Sequence, residues 1–293
     1  MAPLRPHLAD AGRGHVLDEP KWSLQVTIGI IGTGLIGASV GMGLKARGHR
    51  VLGYDQSVEN TDIALRRYAI DEAVSLAEAS AADVVFVAVP PAVTVQVLEA
   101  VYAARGASTV VTDTASIKGD VVAWGAEKEW FIASHPMAGH EKGGPKFASN
   151  WMFRGAKWIL CPGAAPASLM SRLESVIQEL DATPVRLSAS EHDKTAAILS
   201  HLPHVLAGLL LETGSQLEST EASGGSWKDL TRVGGVDPEL WTQILLGNRT
   251  EITSVMEGYA ARLTELNQMI ANGDKRGIEA WLKAMAKLKG KQK

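Results

Sequence analysis

A β-branched run, Thr27–Ile31, passes directly into Gly32-Thr33-Gly34-Leu35-Ile36-Gly37 and then into a helical stretch, an order few architectures tolerate. Glycine at the first position permits a tight turn, at the second a close approach of a pyrophosphate to the backbone, and at the third close packing of helix on strand. The helix that follows offers unpaired N–H groups and the positive end of its dipole to the phosphates. Eighteen residues beyond Gly37, a second run, Arg50–Tyr54, ends in Asp55. A carboxylate there accepts hydrogen bonds from both hydroxyls of an NAD ribose and repels the 2′-phosphate of NADP. Gln56 and Ser57 supply no guanidinium for such a phosphate, although Arg50 and Arg66 are near in sequence. The expectation is a Rossmann-type dinucleotide site that prefers NAD, with NADP as the alternative.

Runs at Val26–Ile31, Arg50–Tyr54, Asp83–Val89, Thr109–Thr112, Phe131–Ser134, Trp158–Leu160 and Pro184–Leu187 alternate with helical stretches such as Ala38–Arg47 and Thr94–Ala103. Such alternation predicts βαβ units and a largely parallel sheet. After about Ser188 the strand signal ends. Ser190–Leu217 is apolar at helical spacing, with Pro203 expected to kink it. Ile252, Val255, Met256, Tyr259, Leu263, Leu266 and Ile270 recur at helical intervals, and Ile278, Trp281, Leu282, Met285 and Leu288 repeat the pattern. Apolar-faced helices with no strands to cover predict an all-helical domain that buries those faces against a second copy, making a homodimer. The predicted division is an extension over residues 1–24, an α/β Rossmann domain over 25–188, and a helical substrate and dimerisation domain over 189–293.

Charge and composition narrow the partners. With 29 basic and 32 acidic residues the formal charge is −3, which gives no reason to expect nucleic acid or an anionic membrane. Hydrophobic residues at 46% and charged ones at 21% fit a packed soluble core. No run reads as the ~18 apolar residues of a membrane span. The single Cys161 excludes an internal disulfide and suits a reducing, cytoplasmic setting. Residues 1–24, with Pro3, Pro6, Gly12, Gly14 and Pro20 and no apolar segment, read as a loose extension and not as a targeting signal.

In doubly wound sheets, ligands collect at the carboxyl ends of the strands. Three motifs sit there: Val87-Ala88-Val89-Pro90-Pro91, Thr112-Asp113-Thr114-Ala115-Ser116-Ile117-Lys118-Gly119 and Ser134-His135-Pro136-Met137-Ala138-Gly139. Val89, Pro90 and Thr114 are accordingly expected beside the cofactor. A dehydrogenase needs a group to take the carbinol proton as hydride leaves, and a neutral imidazole suits that near pH 7. His135 and Ser116 are the candidates. The bland alternatives are a hydrogen-bonded structural histidine, a turn cap at Asp113 and a solvated loop lysine at Lys118. His201 and His204 do not read as metal ligands, because the chain has one Cys and no nearby H-x-x-x-H or carboxylate ladder.

Five strings in order carry a family resemblance: Asp113-x-x-Ser116-x-Lys118, Ser134–Gly144, Ser200-His201-Leu202-Pro203-His204, Trp227-Lys228-Asp229-Leu230-Thr231-Arg232 and Asp237-Pro238-Glu239-Leu240-Trp241. Together, over residues 26 to about 275, the chain resembles the prephenate/arogenate dehydrogenases of tyrosine biosynthesis, in their short, single-function form. The resemblance implies oxidative decarboxylation of a cyclohexadienyl acid. Hydride leaves the ring carbon bearing the 4-hydroxyl for the nicotinamide, the C1 carboxylate departs as CO2, and the ring becomes aromatic. By the same match, His135 takes the hydroxyl proton, Ser116 bonds that hydroxyl or the nicotinamide side, and Arg232 holds a substrate carboxylate with its planar fork. Lys228, His192, His204, Ser200 and Trp241 correspond to pocket-lining positions, some across a dimer, and Glu141 to an acid near the entrance. His140 stands where relatives commonly carry Thr, which bears on substrate choice; of His201 and His204, the match assigns the second to the pocket.

Prephenate with NAD is the expected pair. Arogenate is the alternative substrate, since the Arg232–Leu240 stretch also resembles arogenate-specific members, and an acid aimed at the side-chain amine would favour it. A general 3-hydroxyacid dehydrogenase explains the glycine loop but not Ser134–Gly139 or Ser200–His204. A non-catalytic dinucleotide sensor needs the glycines and Asp55, but not His135, Ser116, Lys118, Lys228 and Arg232 together.

Overall fold

The computed structural model describes residues 25–140 and 142–291, so the expected extension over 1–24 and the role expected of Glu141 lie outside the described residues. Strands β1 (Thr27–Ile31), β2 (Arg50–Tyr54), β3 (Glu72–Ala73), β4 (Val84–Val87), β5 (Val110–Asp113), β6 (Phe131–Pro136), β7 (Lys157–Cys161) and β8 (Thr183–Arg186) form one sheet. Their order is β3-β2-β1-β4-β5-β6-β7-β8. Pairing is parallel from β3 through β6, antiparallel between β6 and β7, and parallel again to β8. The first six strands thus have the doubly wound arrangement, and the order reverses between β1 and β4, where a crevice opens at the strand ends. Each predicted run forms a strand; β3, at two residues, is too short to display a period.

Helices α1 (Leu35–Lys45), α2 (Val58–Arg66), α3 (Leu76–Ser80), α4 (Pro91–Ala104), α5 (Gly119–Gly125) and α6 (Ala167–Glu179) cover the sheet. Strand side chains alternate between its two faces. Ile28, Ile30, Val84 and Phe86 join Phe153 and Trp158 in one core, while Ile31, Val85, Val87 and Val111 join Leu98, Val101 and Phe131 in the other. Burial on both sides is what a mostly parallel sheet requires.

Beyond β8 the chain is helical: α7 (Ala189–Ala196), a π turn over Ala197–His201, α8 (Leu202–Gly214), α9 (Gly225–Thr231), α10 (Pro238–Gly247), α11 (Arg249–Ala271) and α12 (Lys275–Gly290). Pro203 has no N–H to offer the Leu199 carbonyl, and the Leu202 N–H reaches back five residues to Ala197 instead. The expected kink is therefore taken up as a π turn within one continuous helix. By length and a mean hydropathy of 1.3, that helix, Ala189–Gly214, is apolar enough to cross a membrane, contrary to the reading of the sequence. Only 22% of its apolar window is buried within the chain. Its first turns carry His192, Asp193 and Lys194, with His192 packed against the sheet domain.

The glycine loop depends on tight contacts. Gly32 holds φ at +93°, a conformation that disfavours a side chain, and a Cβ at Gly37 would overlap the Gly32 carbonyl oxygen. Replacing Gly37 with Ala is expected to cost about 1–3 kcal/mol by forcing α1 off β1. Denaturant unfolding of the variant beside wild type measures this, and equal stability would mean that the helix does not need the contact.

Candidate active site

The strand ends at the reversal form a cradle. Gly32-Thr33-Gly34 follows β1, Asp55 follows β2, Val89 and Pro90 follow β4, and Thr114 follows β5. Among the described residues nothing lies within 4 Å of the position a Cβ would take on Gly34, and no side chain caps the start of α1 at Gly34, Leu35 and Ile36. Open space over unpaired helix N–H groups fits a pyrophosphate. Asp55 is held in place: Oδ2 accepts from Thr33 N at 2.8 Å and Asn60 Nδ2 at 3.3 Å, and Oδ1 accepts from Ser57 N at 2.8 Å. Asn60, which the sequence reading missed, thus steadies the carboxylate that would meet the ribose. These residues fit NAD.

Across the crevice, the next-to-last residue of β6 is His135, 9% exposed. Its Nδ1 lies 2.8 Å from His192 Nε2, and His192 Nδ1 lies 2.7 Å from Asp193 Oδ1. A carboxylate can only accept, so His192 carries its proton on Nδ1 and, when neutral, accepts on Nε2. His135 must then donate from Nδ1, which leaves its Nε2 as a bare acceptor. A relay of three side chains therefore sets the tautomer of the residue expected to act as base.

Asp193 has further ties. Its Oδ1 accepts from Lys118 N at 2.8 Å and its Oδ2 from Gly119 N at 3.0 Å, capping α5. Burial opposes its ionisation, but the hydrogen bonds from His192, Lys118 and Gly119 outweigh burial and hold its carboxyl below the ordinary range. Burial does the opposite to His135, aided by the neighbouring His192, the Lys118 cation and His201, and pushes its pKa well below the ordinary 6.5. The imidazole is thus neutral at physiological pH, as a proton acceptor must be.

His192 is a correction to the sequence reading. It is fully buried behind His135 with both ring nitrogens engaged, so it does not line the substrate pocket. Lys118 is not a solvated loop residue but is fully buried, paired with Asp113 and bonded to Ser134 O at 2.7 Å. Ser116 is half-buried in the loop between these anchors.

The helical part contributes the remaining groups. Nine positions on a regular helix, at about 100° each, would put His192 and His201 on opposite faces. The π turn delays that rotation, and both point inward. His201 is 1% exposed, near Asn248 Nδ2 at 3.3 Å, while that same amide donates to Asp193 O at 2.8 Å. His204 is half-buried, donates from Nδ1 to Ser200 O at 2.9 Å, and stacks on Trp241 with ring centroids 4.0 Å apart. Its Nε2 is left as an acceptor. Gln243 Oε1 accepts from Ala92 N at 3.2 Å, tying α10, and hence Trp241, to the start of α4.

Lys228 on α9 and Arg232, its C-cap, lie four residues apart, both exposed, and among the described residues Arg232 makes no ion pair or hydrogen bond. His140 is exposed, stacks on Phe147 at 5.7 Å, and its Nδ1 accepts from Lys142 N at 3.0 Å. Among the described residues no group of three or more His, Cys, Asp or Glu could hold a metal ion. Asp193 and Asn248 went unnoticed in the sequence. A His-Asp pair opening a capped helix was the available signal for Asp193, whereas Asn248 offered none.

Comparisons with known proteins place the chain in a family. Residues 40–186 match the family model described as prephenate dehydrogenase, nucleotide-binding domain, and residues 188–284 the one described as prephenate dehydrogenase, dimerization domain. Prephenate dehydrogenase of Lactococcus lactis is 32% identical over 277 residues, covering 89% of this chain and 75% of that protein. The structure of prephenate dehydrogenase from Aquifex aeolicus in complex with hydroxyphenyl propionate and NAD+ superposes with a TM-score of 0.84 at 26% identity, covering 94% of this chain and 100% of that one. Synechocystis arogenate dehydrogenase superposes at 0.78 with 26% identity, covering 91% and 100%.

Burial, reinforced by His192 and His204 against an opposing Asp193, lowers the pKa of His201 from 6.5 to about 4. The unfolded chain therefore binds the proton first as pH falls, and His201 stabilises the fold fully above pH 6.5 and progressively less down to about 4. Denaturant unfolding at pH 7.5, 6 and 5 should show this loss, and His201→Asn should make the dependence shallower. An unchanged slope in the variant would remove His201 as its source.

Proposed function

The chain belongs to the prephenate dehydrogenase family, and on that premise we propose that it converts prephenate to 4-hydroxyphenylpyruvate in tyrosine biosynthesis. The observation that carries the reading is the bare Nε2 of His135, its tautomer set by His192 and Asp193, at a strand end beside the dinucleotide cradle. NAD, when bound, supplies the hydride acceptor. His135 Nε2 accepts the hydrogen bond of the 4-hydroxyl and takes its proton as the adjacent C–H bond breaks. It returns that proton to the phenol oxygen as the carboxylate leaves and the ring gains its aromatic sextet. Ser116 bonds the same hydroxyl and fixes the angle of approach. Because aromatisation and CO2 release supply the driving force, the protein's task is orientation and polarisation.

Arg232 presents an unpaired guanidinium suited to a bidentate carboxylate contact, with Lys228 one turn before it as a second cation. His204, steadied by Ser200 and Trp241, adds a hydrogen-bonding nitrogen, and exposed His140, next to Glu141 in sequence, bears on substrate choice. Arogenate is the second reading, supported by the likeness to the Synechocystis enzyme. Asp55 supports NAD over NADP.

The domain division we assign runs over 25–188 and 189–293. The apolar side chains Leu199, Leu209, Leu230, Leu263, Ile270 and Leu282 are exposed on the helical part, and a second copy of the chain is their proposed cover. A small polar substrate and one buried free thiol, Cys161, suit the cytoplasm.

Initial rates at 340 nm with prephenate or arogenate and NAD or NADP test the reading; prephenate with NAD should be fastest, and arogenate with NADP fastest would overturn both choices. His135→Asn should bind NAD normally and lose at least about 100-fold in kcat. Arg232→Gln should raise the substrate KM at least about 30-fold, and an unchanged KM would put the carboxylate clamp elsewhere.

A further inference from the structure

The ladder between β5 and β6 stops early. It pairs Val111 with Phe131 and Thr112 with Ile132, after which β6 pairs with β7 from Ala133 to Pro136. The peptide groups of Ser134 that face β5 consequently have no strand partner, and a buried backbone group left unpaired is costly. Two side chains fill the gap. Ser134 N donates to Asp113 Oδ1 at 2.9 Å, and Ser134 O accepts from Lys118 Nζ at 2.7 Å. Lys118 Nζ also pairs with Asp113 Oδ2, and both side chains are fully buried. Asp113 Oδ2 further accepts from Ala115 N at 2.9 Å, while Asp193 holds the N–H groups of Lys118 and Gly119. The segment bearing Ser116 is therefore anchored on both sides of that residue.

A buried ion pair is a costly way to fill space, since apolar residues of similar volume are often equal or better for stability. What this pair provides that apolar residues could not is a donor and an acceptor aimed at one peptide, next to His135. We propose that the Asp113–Lys118 pair is a positioning device for the reaction, holding the strand end that carries His135 and the loop that carries Ser116 in one frame. The inference rests on the roles proposed above for those two residues. Lys118 also acts on His135 through its charge: besides burial, the groups that lower its pKa are His192 from α7, which contacts the ring, Lys118 from the loop before α5 and His201 from the π turn. Asp113 and Asp193 stand behind Lys118 and His192 as their partners.

The test is the full-length chain carrying Asp113→Asn together with Lys118→Met, which removes both charges at once and leaves no unpaired buried ion. Thermal unfolding and NAD affinity report folding, kcat and KM are measured with the cyclohexadienyl acid that wild type oxidises, and NMR follows titration of the His135 ring. NAD affinity and substrate KM are expected within about threefold of wild type, kcat about 10–100-fold lower, and the His135 titration displaced upward. Asp113→Asn together with Lys118→Gln, which also removes both charges but keeps an amide donor and acceptor, carries the same expectations if the first double variant does not fold. Turnover within about twofold of wild type, or an unmoved His135 titration, overturns the proposal. Should wild type oxidise neither acid, the reading of function fails, and the His135 titration alone decides the role of the pair: displaced upholds it, unmoved overturns it.

Discussion

One carboxylate, Asp193, joins the two halves of the molecule. It stands in the first turns of the helical part, yet its oxygens cap α5 of the sheet domain and receive the proton of His192. Its own carbonyl is held by Asn248, at the start of α11. A half-buried negative charge is tolerable only when donors surround it, and here they come from the start of α5 and from His192 on its own helix. Whatever displaced Asp193 would at once free α5, turn the His192 ring and leave the tautomer of His135 unset. The chemistry and the seating of the helical part on the sheet therefore share one interaction.

The two parts differ in how they close their cores. The sheet buries apolar side chains on both faces, and its large core residues, among them Phe86, Phe131, Phe153 and Trp158, are almost wholly enclosed. From α8 onward few side chains are buried, Ala207, Ile244 and Ile252 among them, and leucines along α8, α9, α11 and α12 remain exposed. Helices with one apolar face each need a partner surface, and a sheet already covered on both sides has none to give. A second copy is the cover proposed above for those faces, and residues 188–284 match the family model described as a dimerization domain.

Much of the fold was legible in the sequence because its signals are local. The glycine loop, the β-branched runs and the switch to helical spacing after Ser188 each lie within a few residues of one another. Where the reading fell short, the cause was nonlocal. Strand β3 is too short for a period, and the apolar helix through Pro203 bends its hydrogen-bond register without breaking. His192 looked like a pocket residue because sequence order cannot tell a ring that meets ligand from one that stands behind another ring. Lys118 looked solvated because loop lysines usually are, and no neighbour in sequence reveals that β6 leaves β5 at the level of Ser134.

By itself, then, the sequence determined the dinucleotide cradle, the parallel sheet, the helical second part and the identity of the imidazole at the end of β6. Those depend on turn stereochemistry and on periodicity, which short-range sterics and hydrophobic patterning dictate. Only the tertiary structure decided how that imidazole is held. His135 meets His192 across 57 residues, and Lys118 meets Asp193 across 75. Contacts at such separation arise from the packing of whole elements, which sets distances to within a few tenths of an ångström, a precision that no local propensity encodes.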